Sequence, residues 1–169
     1  MKTSESAYFA GGCFWCITPV FSEMIGVRKV TSGYSGGSEA DPSYEDVKYQ
    51  RTGHRETIRI EYNPEKVTFE SLLQVFLSNV DPFDPDGQFI DRGHSYTLAV
   101  YYLCDAQKEA AQAAICALEA ASGQKVCISV EPFTSFYDAE EEHQDFYLKN
   151  PEQFRQELFE SGRVLPDTL

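Results

Sequence analysis

Arg55-Glu56-Thr57-Ile58-Arg59-Ile60-Glu61-Tyr62 alternates polar and apolar side chains. A strict period of two marks a β-strand with one wet face. Asn63-Pro64 turns the chain directly afterwards, and Thr68 to Ser78, with Leu72, Leu73, Val75 and Phe76, has the spacing of a helix. Upstream, Ala7 to Ala10 is a short apolar run ending in Gly11-Gly12, which predicts a buried strand with a tight exit. Cys13 to Met24 carries Phe14, Ile17, Val20, Phe21 and Met24 at helical spacing, interrupted by Pro19. Either its first turn kinks or the regular helix begins near Thr18-Pro19. Val27 to Tyr34 reads as a strand that leaves into the loop Ser35-Gly36-Gly37.

Downstream, Asp81 to Gly87 is rich in turn residues. Tyr96 to Leu103 predicts a strand, Asp105 to Ala121 a long helix and Val126 to Val130 another strand; Ala139 to Tyr147 and Pro151 to Ser161 predict short helices. Strands and helices interleave with hairpin-like neighbours, so a mixed-sheet α/β layer fold is expected rather than an all-parallel one. With no internal repeat, low-complexity tract or linker, residues 1–169 read as one domain.

The composition, 42% apolar and 24% charged, is that of a soluble globular chain. No apolar run approaches the roughly 20 residues needed to cross a bilayer, and Met1 to Ser6 lacks an apolar signal core. A soluble, cytoplasmic monomer is the expectation. Fourteen basic residues against 27 acidic ones give a formal charge of −13. Nucleic-acid binding needs Lys and Arg to neutralise phosphates, so this balance argues against it, and the acidity is read as solubility.

Five cysteines are an odd count in a chain too large to need disulfide staples. Cys104, Cys116 and Cys127 stand alone in apolar or helical surroundings and are expected to be reduced, partly buried packing residues. Gly11-Gly12-Cys13-Phe14-Trp15-Cys16 is different. A cysteine after a glycine turn at a helix start faces unpaired backbone N–H groups and the positive end of the helix dipole, both of which favour the thiolate. A second thiol three residues on is able to condense with an oxidised first one. A structural zinc site would need two more ligands, normally a second close pair, whereas His54, His94 and His143 are scattered singly. A thioredoxin-like oxidoreductase shares the C-x-x-C pattern, but this one lies too near the start for an upstream βα unit.

A third reading comes from resemblance. Gly12-Cys13-Phe14-Trp15 resembles the signature of A-type methionine sulfoxide reductases. Ser32 to Gly37, Pro42 to Val47, Thr52 to Glu56, Asp81-Pro82, Gly87 to Gly93 with Tyr96, and Phe136 to Glu140 with His143-Gln144 follow in that family's order and spacing. The resemblance runs from about Tyr8 to Pro151. It implies an α/β (α+β) two-layer sandwich, a mixed sheet with flanking helices, built on a ferredoxin-like core with an extended C-terminal segment. It also implies thiol-dependent reduction of methionine S-sulfoxide, free or in proteins, with thioredoxin as reductant and no metal or other cofactor.

Residue by residue, the resemblance makes Cys13 the nucleophile and Glu56 the acid that protonates the sulfoxide oxygen. That role requires a carboxyl kept protonated by a poorly solvated pocket. Read alone, Glu56 opens an alternating strand and would be a solvated charge. Tyr44 and Tyr96 would hold the sulfoxide oxygen, Asp91 would order the pocket, and Phe14 and Trp15 would wall the seat of the S-methyl group. Cys16 would be the resolving thiol. His54 matches as support for the turn before Glu56. The chain departs from the family pattern in four places. Position 16 is Cys where many relatives have Gly, and Phe83 replaces a polar residue. Glutamine and arginine are missing around Tyr96 in His94-Ser95-Tyr96-Thr97, and no cysteine follows Cys127.

Overall fold

The computed structural model describes residues 4–161. In chain order the elements are β1 (Glu5–Gly11), α1 (Phe14–Ser22), β2 (Val27–Ser35), α2 (Tyr44–Lys48), β3 (Arg55–Tyr62), α3 (Phe69–Ser78), β4 (Gly87–Gln88) and β5 (Asp91–Arg92). They continue with β6 (Leu98–Tyr102), α4 (Asp105–Ser122), β7 (Ile128–Pro132), β8 (Phe136–Asp138), α5 (Phe146–Lys149) and α6 (Pro151–Ser161).

Six strands form one sheet in the order β7-β6-β1-β3-β2-β8, and β4 and β5 make a separate small hairpin. The central strands β6, β1, β3 and β2 pair antiparallel throughout, with α1 and α3 as the intervening helices. This is the β-α-β-β-α-β order of a ferredoxin-like core. The long helix α4 returns the chain to lay β7 parallel to β6, which makes the sheet mixed.

The phase of β3 decides the layers. Glu56, Ile58, Ile60 and Tyr62 point to the helical side and are buried, where the two isoleucines join Phe9, Ile17, Phe21 and Phe76 in the main core. Arg55, Thr57, Arg59 and Glu61 point the other way. That face is less wet than the alternation predicts, because the segment around β7 and β8 covers much of it: Phe133 stacks on Tyr8 and Phe136 packs under the Arg59 guanidinium. Arg55 donates to Thr97 Oγ1, the Tyr101 hydroxyl and Glu131 Oε2, at 2.8, 3.0 and 2.6 Å.

One alternative is decided, one reading changes and one holds. The first helix begins at Phe14, not near Pro19, which sits inside it. The proline lacks only the N–H that would have reached the Trp15 carbonyl, and Thr18 Oγ1 holds the Phe14 carbonyl at 2.7 Å. Cys104 and Cys116 are exposed rather than packed. Cys104 precedes the first turn of α4, and Cys116 lies on the side of that helix away from its buried Gln107 and Ala111. Cys127 is partly buried, with its thiol 3.6 Å from the Phe83 carbonyl oxygen.

Phe9 has no exposed surface and stacks on Phe76 at 4.8 Å between ring centres. Phe9→Ala therefore costs about 3–5 kcal/mol of stability, to be read as a lowered denaturant midpoint at unchanged slope. A loss well below about 1 kcal/mol would mean the core is centred elsewhere.

Candidate active site

β1 runs into Gly12, whose φ of +83° is a left-handed turn open to glycine. That turn delivers Cys13 to the position just before α1. The first N–H of the helix, at Phe14, donates to Glu56 Oε1 at 3.1 Å. The helix start is therefore occupied by a carboxyl group rather than by the cysteine sulfur. The Cys13 thiol is pushed up, not down, by its contact with the Cys16 thiol, by loss of solvent, and by Cys16, Glu56 and Asp91 as further negative charges. The sequence-based expectation of a helix-stabilised thiolate is not met: the surroundings of Cys13 raise its pKa rather than lower it.

Glu56 is 1% exposed, being in the buried phase of β3, opposite Tyr34. Burial pushes its pKa up to about 8, against the opposing Phe14 N–H, with Asp91 and Cys16 adding to the rise and the Tyr96 hydroxyl offsetting part of it. Its second oxygen, Oε2, is buried and lacks a hydrogen-bond partner among the described residues. A protonated carboxyl with one oxygen tethered and the other unengaged is placed to donate to an incoming acceptor.

Tyr44, Tyr96 and Asp91 come into the same field from three separate elements. Tyr44 opens α2, whose start is capped by Ser43 Oγ accepting from Asp46 N at 3.2 Å. Its backbone N–H donates to Glu140 Oε2 at 3.0 Å, and its ring stacks on His143 at 4.1 Å. Tyr96 ends the short helical turn His94–Tyr96 after the β4–β5 hairpin, and Asp91 lies on β5. Both phenols have raised pKa values, from burial first and then from the Glu56 charge, with Cys13 and Asp91 also acting on each. Both therefore remain hydrogen-bond donors at neutral pH.

The aromatic wall is continuous. Phe14 is buried and packs on Tyr34 and Tyr44. Trp15 stacks on Phe146 at 4.0 Å, and its indole N–H donates to His143 Nδ1 at 3.2 Å. Cys16 is 6% exposed and sits with Phe146, Tyr147, Phe154 and Leu158, while Cys13 and Trp15 pack against the same cluster. Cys13 keeps partial exposure, and both cysteines are thiols rather than halves of a disulfide.

Residues 5–164 match the family model described as peptide methionine sulfoxide reductase. The chain belongs to that family. It is 45% identical to peptide methionine sulfoxide reductase MsrA of Halalkalibacterium halodurans over 164 residues, covering 96% of this chain and 93% of that protein. Among solved structures, Mxr1 from Saccharomyces cerevisiae in reduced form superposes with a TM-score of 0.84 at 28% identity, over 89% of this chain and 87% of that one. Methionine sulfoxide reductase A of Corynebacterium diphtheriae gives a TM-score of 0.80 at 28% identity, over 89% and 77%. The chain is thus a methionine sulfoxide reductase enzyme.

In this reductase several residues without an assigned role in the sequence reading build the site. His143 holds Trp15 and Tyr44 together, Glu140 joins the Tyr44 N–H to the Tyr34 hydroxyl, and Gln144 pins Ser32 from both its N–H and its carbonyl. The signal was present in the ordered motif from Phe136 to Gln144, which had supplied resemblance but no function. His54 accepts from Gly37 N at 3.2 Å and meets the Glu39 carbonyl at 2.8 Å, so it ties the preceding loop to the start of β3. Glu140, Glu142 and His143 also cluster as three potential metal ligands. Because Trp15 donates to Nδ1, the neutral His143 ring carries its hydrogen on Nε2, the atom that would have to bind the ion.

Glu56 also couples folding to pH. Its native pKa of about 8 lies above the ordinary value of 4.5, so the native state binds more protons between those limits. Stability is fully present below about pH 4.5 and is lost as pH rises through 8, by roughly 4–5 kcal/mol across the window. Glu56→Gln should remove this slope, raising the melting temperature at pH 9 more than at pH 5. Parallel melting curves for the two proteins across that range would show that Glu56 is not held protonated.

Proposed function

We propose that this enzyme reduces the S epimer of methionine sulfoxide, free or in proteins, through a Cys13 sulfenic acid that Cys16 resolves as a disulfide. Thioredoxin recycles it, in a single cytoplasmic, monomeric domain. The observation that supports this reading most is the Glu56 carboxyl, buried, protonated up to about pH 8, and unengaged at Oε2 beside Cys13.

The sulfoxide oxygen would accept hydrogen bonds from Glu56 and from the Tyr44 and Tyr96 hydroxyls, and the methyl group would rest against Trp15 and Phe14. Protonation of that oxygen makes the substrate sulfur electrophilic, and Cys13 attacks it as its own proton leaves. The attack forms a bond between the Cys13 and substrate sulfurs as the substrate S–O bond breaks, and the oxygen leaves as water carrying the Glu56 proton and the thiol's proton. That water attacks the Cys13 sulfur, the bond between the two sulfurs breaks with its electron pair on methionine, and the proton released restores Glu56 and leaves Cys13 as the sulfenic acid. Cys16 then attacks the Cys13 sulfur, closing the disulfide and releasing water. A thioredoxin dithiol returns both cysteines to thiols by two exchanges. Mxr1, to which the chain is similar, has been solved in complex with Trx2.

Cys13→Ser abolishes sulfoxide reduction with dithiothreitol as reductant; activity within a few-fold of wild type would remove Cys13 from the chemistry. Glu56→Gln lowers the single-turnover rate by roughly 10²–10⁴-fold, and the wild-type rate declines as pH rises through about 8, where Glu56 loses its proton. A normal rate at every pH in the Glu56→Gln variant would mean that the proton comes from elsewhere. Cys16→Ser keeps the first step, stops thioredoxin-driven turnover and leaves a sulfenic acid that dimedone traps. A mapped disulfide from Cys13 to Cys104, Cys116 or Cys127 would assign resolution to that residue instead.

A further inference from the structure

Gln50 lies outside every motif that identified the family, and its backbone is strained. Its φ is +62°, the left-handed region that L side chains seldom occupy. The residue is exposed, yet both ends of its carboxamide are engaged. Nε2 donates to the Lys48 carbonyl at 3.1 Å and to Ser95 Oγ at 2.7 Å, and Oε1 accepts from Ser95 N at 3.0 Å. Ser95 itself is 1% exposed and immediately precedes Tyr96. The amide lies flat on Gly93, where an added Cβ would come within 2.7 Å of Gln50 Cδ, and Gly93 has a φ of +119°.

These contacts join two elements that carry proposed substrate contacts. On one side Gln50 closes α2, its N–H donating to the Val47 carbonyl at 3.1 Å, and α2 begins with Tyr44. On the other it grips the middle residue of the turn that ends in Tyr96. That turn is held from behind by Arg55 through Thr97 Oγ1 at 2.8 Å, and by His94 Nε2 on the Gly53 carbonyl at 3.0 Å. From the front, Gln50 gives Ser95 one hydrogen bond and takes another from it. The stretch where glutamine was missing beside Tyr96 thus receives a carboxamide from a different part of the chain.

We infer that Gln50 is a positioning residue that sets the Tyr96 hydroxyl relative to Tyr44 and Glu56 for sulfoxide reduction. The inference rests on the proposed role of Tyr96 in holding the sulfoxide oxygen.

Gln50→Gly tests it, because glycine accepts the left-handed backbone while deleting the carboxamide. The relief of strain opposes the lost hydrogen bonds, so the melting temperature stays within about 3 °C of wild type. The single-turnover rate with methionine S-sulfoxide falls roughly tenfold, with KM little changed. In a Tyr96→Phe background the same substitution has almost no further effect, since the group it positions is gone. A Gln50→Gly enzyme at the wild-type rate, or one whose loss simply multiplies with that of Tyr96→Phe, overturns the inference. Tyr96→Phe at the wild-type rate removes the role of Tyr96 itself, and the positioning role falls with it. If Gln50→Gly does not fold, Gln50→Asn carries the same comparison, because asparagine also tolerates the left-handed region but is one methylene too short to span to Ser95.

Discussion

The 3.1 Å hydrogen bond from Phe14 N to Glu56 Oε1 fixes the relation between Cys13 and Glu56. It joins residues 42 apart, at the first turn of α1 and the second residue of β3. It forms only if Gly12 turns the chain just before Cys13 and if β3 keeps the phase that puts Glu56 with Ile58, Ile60 and Tyr62. A shift of one residue in β3 would send Glu56 to the face held by Arg55 and Arg59 and bring Thr57 under the helix. The core therefore sets the chemistry through register: the same pairing that buries two isoleucines also buries one carboxyl.

That phase was legible in the sequence. In Glu56-Thr57-Ile58-Arg59-Ile60 the glutamate has the parity of the buried isoleucines, although read alone it was taken as a solvated charge and only the resemblance gave it a buried role. The core strands were likewise legible, because their apolar runs and turns are local signals, whereas the ferredoxin-like order came from the resemblance. The Cys13 environment was not. Glycines and a helix start argue for a stabilised thiolate, but whether the helix N–H reaches the sulfur or a distant carboxyl is a tertiary matter, and the carboxyl holds it. The exposure of Cys104 and Cys116 escaped for a similar reason: an alanine-rich helix does not announce which side it buries.

A resting site built from a thiol, a carboxylic acid and two phenols holds protons rather than charge at neutral pH. The leading cause is burial for Glu56 and the two phenols, and the contact with the Cys16 thiol for Cys13. Asp91 adds negative potential to a poorly solvated volume, and each neighbouring acid responds by keeping its proton. Ionisation of Cys13 is correspondingly unfavourable before substrate arrives. In the proposed reaction that cost would be offset when a sulfoxide oxygen takes a proton from the acid cluster as the thiol loses its own. Coupling the two transfers would protect the sulfur from indiscriminate oxidation, because oxidant sensitivity follows thiolate character.

The placement of Cys16 fits the same economy of movement. Residues three apart across the first turn of a helix have Cα atoms about 5 Å apart, within the span that a disulfide tolerates. Cys16 N already donates to the Cys13 carbonyl at 3.1 Å, so the backbone there has the required closeness without refolding. The two sulfurs differ sharply in access, however, Cys13 being partly exposed and Cys16 lying under Phe154 and Leu158 of α6. In a bridge between them, an external thiolate would meet the Cys13 sulfur first, and Cys16 would be the leaving group. Burial of Cys16 would thus give such an exchange a direction, and the aromatic and aliphatic cover over it comes from the C-terminal segment, outside the ferredoxin-like core. The elements that hold the fold and the elements that cover Cys16 are therefore largely different parts of the chain.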